Sequence, residues 1–343
     1  MRTISRVAAA IAVVATMAAA QPPKASSATK LLSRVSVGSP SNYENLTLFP
    51  LLAKVSAYST YALLDDAIRS GQVEVEEKDG GEVNTVRIRN AGKSYVFGMA
   101  GEIVSGAKQD RMLQDDVLLP PGSGWLDVPV FCTEHGRWTG ATMSFGTKGY
   151  MASGKVRSRA SQTGSQEAVW AEVDAAHAQL GVATPSQAFA KVYEDKDAQE
   201  QARPYIDKLD DLPRLFPGAL GVVVAVGNRI VCVDLFGSPA LFRKMWPKLL
   251  RSYVIDAMQS PSHGRLSKKQ VEQFVRGASR ARVTGQPTVG AGKLQRLSAA
   301  NASGSALVFK NAVVHLDLFP GSSFETDDGP TPRLDFRRQR TLN

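Results

Sequence analysis

Seven polar residues in two nearby stretches have side chains that can do chemistry: Glu102, Gln109 and Arg111, then Glu134, His135, Arg137 and Trp138. Two carboxylates beside two guanidiniums can divide acid and base roles when their surroundings separate their pKa values. The sequence therefore nominates Glu102 and Glu134 as catalytic residues. Arg111 and Arg137 suit a bidentate clamp on phosphate or carboxylate, and Gln109 and Trp138 complete the ligand-binding set. Glu102, Glu134 and His135 could also ligate a divalent metal, but the chain has no metal-binding spacing motif and no cofactor is named by it. The competing reading is a buried Glu–Arg network that holds loops in register.

A second constellation comes from an internal echo. Asn228-Arg-Ile-Val-Cys-Val-Asp-Leu-Phe236 recurs as Asn311-Ala-Val-Val-His-Leu-Asp-Leu-Phe319. Each follows an apolar run, and Gly227-Asn228 and Lys310-Asn311 make two-residue turns, so both units read as β-hairpins, a duplicated pair. The pleat puts Cys232 with Asp234, and His315 with Asp317, on matching faces. A thiolate–imidazole pair with an aspartate to orient it would need Cys232 and His315 within hydrogen-bond reach. Gly290-Ala-Gly292-Lys293-Leu294 is not a phosphate loop, because Leu294 replaces the metal-binding hydroxyl and Pro287 the first glycine.

The elements that would carry these residues are legible from periodicity. Strand patterns dominate from Val73 to about Phe145, punctuated by Asp79-Gly80-Gly81 and Asn90-Ala91-Gly92. Helices follow: one capped by Ser165 and closed by Gly181, one from about Ser186 to Leu209 with Pro204 expected to break it, one opened by Ser238-Pro239 with Pro247 expected to kink it, and one capped by Ser267. The expected fold class is α+β: antiparallel β-sheets flanked by several helices, with a duplicated β-hairpin.

The residues just described resemble a known family. Tyr43-Glu-Asn-Leu-Thr-Leu-Phe-Pro50, the Gly101–Arg111 and Val128–Trp138 stretches, Gln166 and Trp170, Phe236-Gly-Ser-Pro239, Trp246–Tyr253 and His315–Phe319 look like the ARG and Rhodanese-Phosphatase-superfamily-associated protein domain, whose members are largely uncharacterised. The resemblance implies one domain over about residues 41–320. Its name implies an association with ADP-ribosylglycohydrolases and phosphatase-like proteins, and so points towards ADP-ribose or phosphate-ester chemistry.

The start of the chain indicates a compartment. Arg2 and Arg6 precede the uncharged run Val7–Ala20, and Ala18-Ala19-Ala20 offers a small-x-small cleavage site. Residues 1–20 are expected to be a removable signal peptide and 21–41 a flexible tether. Residues 42–320 would form a single α+β domain and 321–343 a polar, disordered tail, in a periplasmic or secreted protein. The whole chain carries a formal charge of +9. Residues 243–296 hold twelve Lys and Arg against Asp256 and Glu272. In an exported protein such charge suits an anionic small molecule, an anionic membrane surface or an envelope polymer better than nucleic acid. Two functional classes follow: a small-molecule site for a phosphate- or ADP-ribose-like anion, hydrolytic in character, or a non-catalytic envelope module binding through the basic helices. Cys132 and Cys232, both in apolar strand-like runs, are expected to be free buried thiols.

Overall fold

The computed structural model describes residues 26–55, 60–137 and 142–321. The expected signal peptide, the expected tail beyond Gly321 and Trp138 lie outside these residues. The chain opens with α1 (Ser27–Leu32), β1 (Ser36–Val37), β2 (Ser41–Tyr43) and β3 (Leu46–Leu52). A middle part follows with β4 (Ala62–Leu63), α2 (Leu64–Arg69), β5 (Val73–Glu77), β6 (Thr85–Asn90), β7 (Val96–Gly98) and β8 (Glu102–Gly106). It continues through β9 (Arg111–Leu113), β10 (Val117–Leu119), β11 (Leu126–Cys132) and β12 (Ser144–Met151). The helices α3 (Gly154–Thr163), α4 (Gln166–Leu180), α5 (Ala190–Glu194), α6 (Lys196–Leu209) and α7 (Leu212–Leu215) come next. Then come β13 (Ala219–Val226), β14 (Arg229–Phe236), α8 (Pro239–Met258) and α9 (Lys268–Ala278). The described chain closes with β15 (Arg282–Gln286), β16 (Lys293–Ser298), β17 (Ala302–Phe309) and β18 (Ala312–Pro320).

Two β-structures organise these elements, as the α+β expectation required. The larger is an antiparallel sheet in the order β1-β3-β13-β14-β18-β17-β16-β15, with β2 also pairing β3. One face packs under α8 through Val222, Val224, Phe236, Phe242 and Leu249. The other packs under α1 and α9 through Val223, Val233, Leu316 and Phe274. Buried on both faces, its central strands are near-continuous apolar runs. The smaller structure is a closed barrel, β11-β6-β5-β12-β8-β9, filled by Val75, Val86, Ile88, Val104, Val128 and Phe145. The short sheet β10-β7-β4 includes a parallel pair, β4 with β7.

The echoed hairpins are part of a longer duplication. Val222 pairs with Asp234 in the first hairpin as Ser305 pairs with Asp317 in the second, and each ladder shifts register at the same place, after Val224 and after Leu307. The match extends outward: Leu48 faces Val224 as Leu294 faces Leu307, and Val37 faces Leu51 as Val283 faces Leu297. Even the helix exits agree, since Ser33-Arg34 after α1 and Ser279-Arg280 after α9 lead into β1 and β15. One unit is α1-β1-β3-β13-β14 and the other α9-β15-β16-β17-β18. Residues 53–218, barrel included, are inserted into the first copy. β14 pairs antiparallel with β18 so that Asp234 faces Asp317. That pair marks a pseudo-two-fold axis through the sheet. Gly221 and Gly304 occupy equivalent places, where an added Cβ would sit 1.9 Å from the Asp234 carbonyl oxygen and 2.1 Å from that of Asp317.

Several local expectations are corrected. Part of the expected tether is folded: Ser26 caps α1, whose Ala28 and Leu32 are buried beneath the sheet. Composition hid this, because six residues carry only a short apolar stripe. Pro204 lies inside α6 without breaking it, while α8 runs on through Pro247, where only a kink was expected. A proline removes one helical hydrogen bond, and packing of α8 over thirteen buried residues outweighs that loss.

Candidate functional site

The nominated residues divide into two clusters. Gln109, Arg111, Glu134 and Arg137 meet at one end of the barrel. Arg137 donates from Nε to Glu134 Oε1 at 3.0 Å and from Nη2 to Oε2 at 2.7 Å, while Nη1 donates to the Ala107 carbonyl at 2.7 Å. Glu134 Oε2 also accepts from the Asp110 backbone N–H at 3.0 Å. Arg111 is fully buried; its Nη1 donates to Gln109 Oε1 at 3.2 Å and its Nη2 lies 3.6 Å from Glu77 Oε1. These groups bind one another and tie the strand ends together. His135 stacks on Trp170 at 4.6 Å between centroids. Gln166 acts as a substitute strand for Cys132, accepting from its N–H and donating to its carbonyl, each at 2.8 Å.

Glu102 belongs elsewhere. It is buried 3.3 Å from the ammonium of Lys248, which also bonds Asp65. Burial, with the Asp65 charge, raises its pKa to about 7 although Lys248 opposes the shift. The Lys248 pair fastens α8 to the barrel strand β8, so this member of the basic stretch 243–296 is an internal residue.

A third cluster, at the pseudo-two-fold axis, contains residues that spacing did not connect. Arg157 on α3 grips Asp234 through two parallel bonds, Nη1 to Oδ1 and Nη2 to Oδ2, both 2.8 Å. Tyr253 donates its hydroxyl to Asp234 Oδ2 at 2.6 Å. His315 Nδ1 lies 2.8 Å from Asp116 Oδ2, and its Nε2 is 3.4 Å from Asp234 Oδ1. Burial alone would push Asp234 up, but the Arg157 charge and the bonds from Arg157 and His315 hold it far below the usual carboxylate range. Burial likewise opposes the imidazolium, yet Asp116 and Asp234 raise His315 to about 10. It is a cation.

Asp317 differs. It accepts from Ser305, N–H at 2.7 Å and hydroxyl at 3.1 Å, and has no guanidinium in contact. Burial and the Asp116 charge raise it to about 6. A narrow cleft between barrel and sheet reaches it, walled by Gly101, Gln114, Arg157, Arg296, Ser305 and Asp317. With about 10 Å³ of free space in all, it accommodates roughly one water molecule. Arg296 stands there partly exposed, 2.7 Å from Asp115 Oδ1. Gly101 makes the arrangement possible: at φ +95° it passes so close to Arg157 that a Cβ would lie 2.3 Å from Cδ.

The thiolate–imidazole pair is not formed. Cys232 and His315 hold equivalent positions, but the antiparallel register puts His315 opposite Phe236. Cys232 instead lies 3.5 Å from Arg157 Nη2, and burial with the Asp234 charge pushes its thiol well above the usual value. Both cysteines are free and buried. The echo located Asp234, His315 and Asp317. In the sequence Tyr253 stood out only within the Trp246–Tyr253 stretch and Arg296 only as the end of the basic stretch 243–296, while nothing marked Arg157 or Asp116, both from the insertion; only the lone Gly101 before a strand hinted at a close approach.

Comparison with known proteins identifies one family: the model of the ARG and Rhodanese-Phosphatase-superfamily-associated Protein domain matches residues 34–319. That span begins at the exit of α1 and ends on β18, so it takes in both copies of the unit and the insertion. No curated protein and no solved structure matches the chain.

Proposed function

Because the chain belongs to the ARG and Rhodanese-Phosphatase-superfamily-associated protein domain family, we propose that it hydrolyses a small phosphate- or ADP-ribose-like anion docked at the mouth of the barrel–sheet cleft, whose interior has room for the attacking water but not for the ligand. One observation carries the reading. Two aspartates in equivalent positions, facing each other across a pseudo-axis, are held at opposite ends of the carboxylate range, Asp234 far down and Asp317 up at about 6. Separated pKa values of this kind are how carboxylate pairs acquire distinct roles. At neutral pH Asp317 is ionised but more basic than an ordinary carboxylate, which suits it to take a proton from a water lodged beside it. The water oxygen attacks the electrophilic centre, and the leaving group takes its proton from solvent. Arg296, at the wall of the cleft, meets the substrate's negative charge. Glu134 is satisfied by Arg137, and Glu102 is buried beside Lys248 and does not line the cleft, so the acid–base role falls to Asp317.

Export is proposed alongside, on the strength of the charged, apolar and small-residue order of residues 1–20. N-terminal sequencing of protein recovered outside the cytoplasm should begin near Gln21; a chain retained with Met1 intact would rule it out. The catalytic reading is tested by thermal shift of the whole chain with ADP-ribose and nucleotides, followed by product analysis. ADP-ribose or a nucleotide should raise the melting temperature, Arg296→Ala should abolish the rise, and Asp317→Asn should keep binding but lose turnover. Turnover by Asp317→Asn at the native rate, or no stabilisation by any of these ligands, overturns it.

A further inference from the structure

Two surface grooves lie at the two echoed hairpin turns, and both are cationic. The first, about 610 Å³, is walled by Lys30, Arg34 and Lys54 together with Asn311, Val313 and Gly237. The second, about 840 Å³, is walled by Lys155, Arg159 and Arg229 together with Ile230 and Pro320. The duplication relates their floors: Val313 corresponds to Ile230, and Gly237 to Pro320, each residue following the phenylalanine that ends its hairpin. The cations come from non-equivalent positions, α1 and the β3 exit in one case, and α3 with the first residue of β14 in the other. Sequence descent from a common unit therefore does not account for the shared charge.

Among the described residues no acidic one lines the first groove. The second has Glu172, whose carboxylate is 3.9 Å from Arg159 Nε. Among the described residues no carboxylate forms an ion pair with Lys30, Arg34, Lys54 or Arg229, while the Lys155 charge acts on buried Asp256. Five of the six cations are exposed, Lys155 being half-buried and bonded to the Ser260 hydroxyl at 3.2 Å. Like charges that outnumber their neutralising partners in a concave site repel one another and focus a positive potential. A multiply charged anion relieves that repulsion, and Lys and Arg together match phosphate oxygens. Concavity separates the candidates: a flat membrane surface cannot reach a groove floor, whereas a compact ligand fits it.

We infer that each groove is a binding site for a phosphate-bearing small molecule carrying at least two negative charges, giving two such sites at opposite ends of the duplicated sheet. These sites are independent of the Asp317 cleft. Titration calorimetry of the whole chain with inorganic pyrophosphate at 0.15 M salt tests the inference. The expected stoichiometry is two ions per chain. Lys30→Ala with Arg34→Ala should remove one site, and Arg159→Ala with Arg229→Ala the other, each weakening its ion at least tenfold; all four positions are exposed, so folding is spared. Arg296→Ala should keep both sites, which separates this result from failure of the catalytic cleft. Unsaturable or absent binding, unchanged stoichiometry in both double variants, or binding only to vesicles containing anionic lipid would each overturn it.

Discussion

The two copies of the duplicated unit hold the same backbone and the same aspartate, yet the two carboxylates have opposite fates. In the first copy Arg157, Tyr253 and His315 converge on Asp234 and fix its charge. In the second, Ser305 alone binds Asp317, and Asp116 stands near enough to oppose its ionisation. The pleat decides that both side chains point to the same face. What surrounds them is decided by the insertion, because α3 descends over Asp234 and leaves Asp317 against a cleft. A duplicated sheet thus supplies a pair of buried acids, and an unduplicated insertion gives one of them a guanidinium partner and leaves the other beside a cleft.

The largest expected effect breaks this asymmetry directly. Arg157→Ala leaves Asp234 charged and buried without its partner, a change that costs about 3–5 kcal/mol in comparable pairs. Denaturant unfolding should report that loss, and carboxyl NMR titration should show Asp234 moving up towards Asp317. Retention of native stability would mean that the pair is not what holds α3. Gly101→Ala comes next, since both its positive φ and the Arg157 side chain oppose a Cβ; a loss of about 2–3 kcal/mol is expected from strain and displacement together.

Asp317→Asn should act in the other direction. The folded pKa of Asp317, about 6, exceeds an unfolded value of roughly 3.9. Native protein therefore holds its proton where the unfolded chain has lost it, and stability falls as pH rises from about 4 to about 6, then levels. The asparagine variant should lack that fall and be more stable above pH 6, by up to about 3 kcal/mol. Equal pH profiles for variant and parent would remove Asp317 from its proposed role. The smallest effect compares the two hairpin turns. Gly227 sits at φ +59° in the first, while Lys310 sits at φ +49° in the second. Lys310→Gly should relieve left-handed strain and stabilise by at most about 1 kcal/mol, read from the melting temperature; a destabilised variant would show that the lysine side chain contributes more than the strain costs.

Much of the architecture was legible because it rests on local pattern. Alternation through Val73–Glu77 and Thr85–Asn90 appears as the barrel strands β5 and β6, and Ser165, Ser238 and Ser267 cap α4, α8 and α9. The nine-residue echo revealed the hairpins but not the whole repeat, since β3 and β13 are separated by residues 53–218 and their kinship with β16 and β17 lies in register. The site was less legible. Glu102 opens barrel strand β8 and Glu134 lies two residues past the end of barrel strand β11, yet one is bound to Lys248 from α8 and the other to Arg137 three residues away.

By itself the sequence determined the α+β class, the position of most strands and caps, and the duplicated Asp-Leu-Phe segments, because hydrophobic period and capping chemistry act over a few residues. The partner of each buried charge was settled only by tertiary structure. Arg157 meets Asp234, and Asp116 meets His315, across 77 and 199 residues of chain. Electrostatic interaction in a dry interior depends on distances of a few ångströms, and such distances exist only once the barrel, α3 and the sheet have packed together.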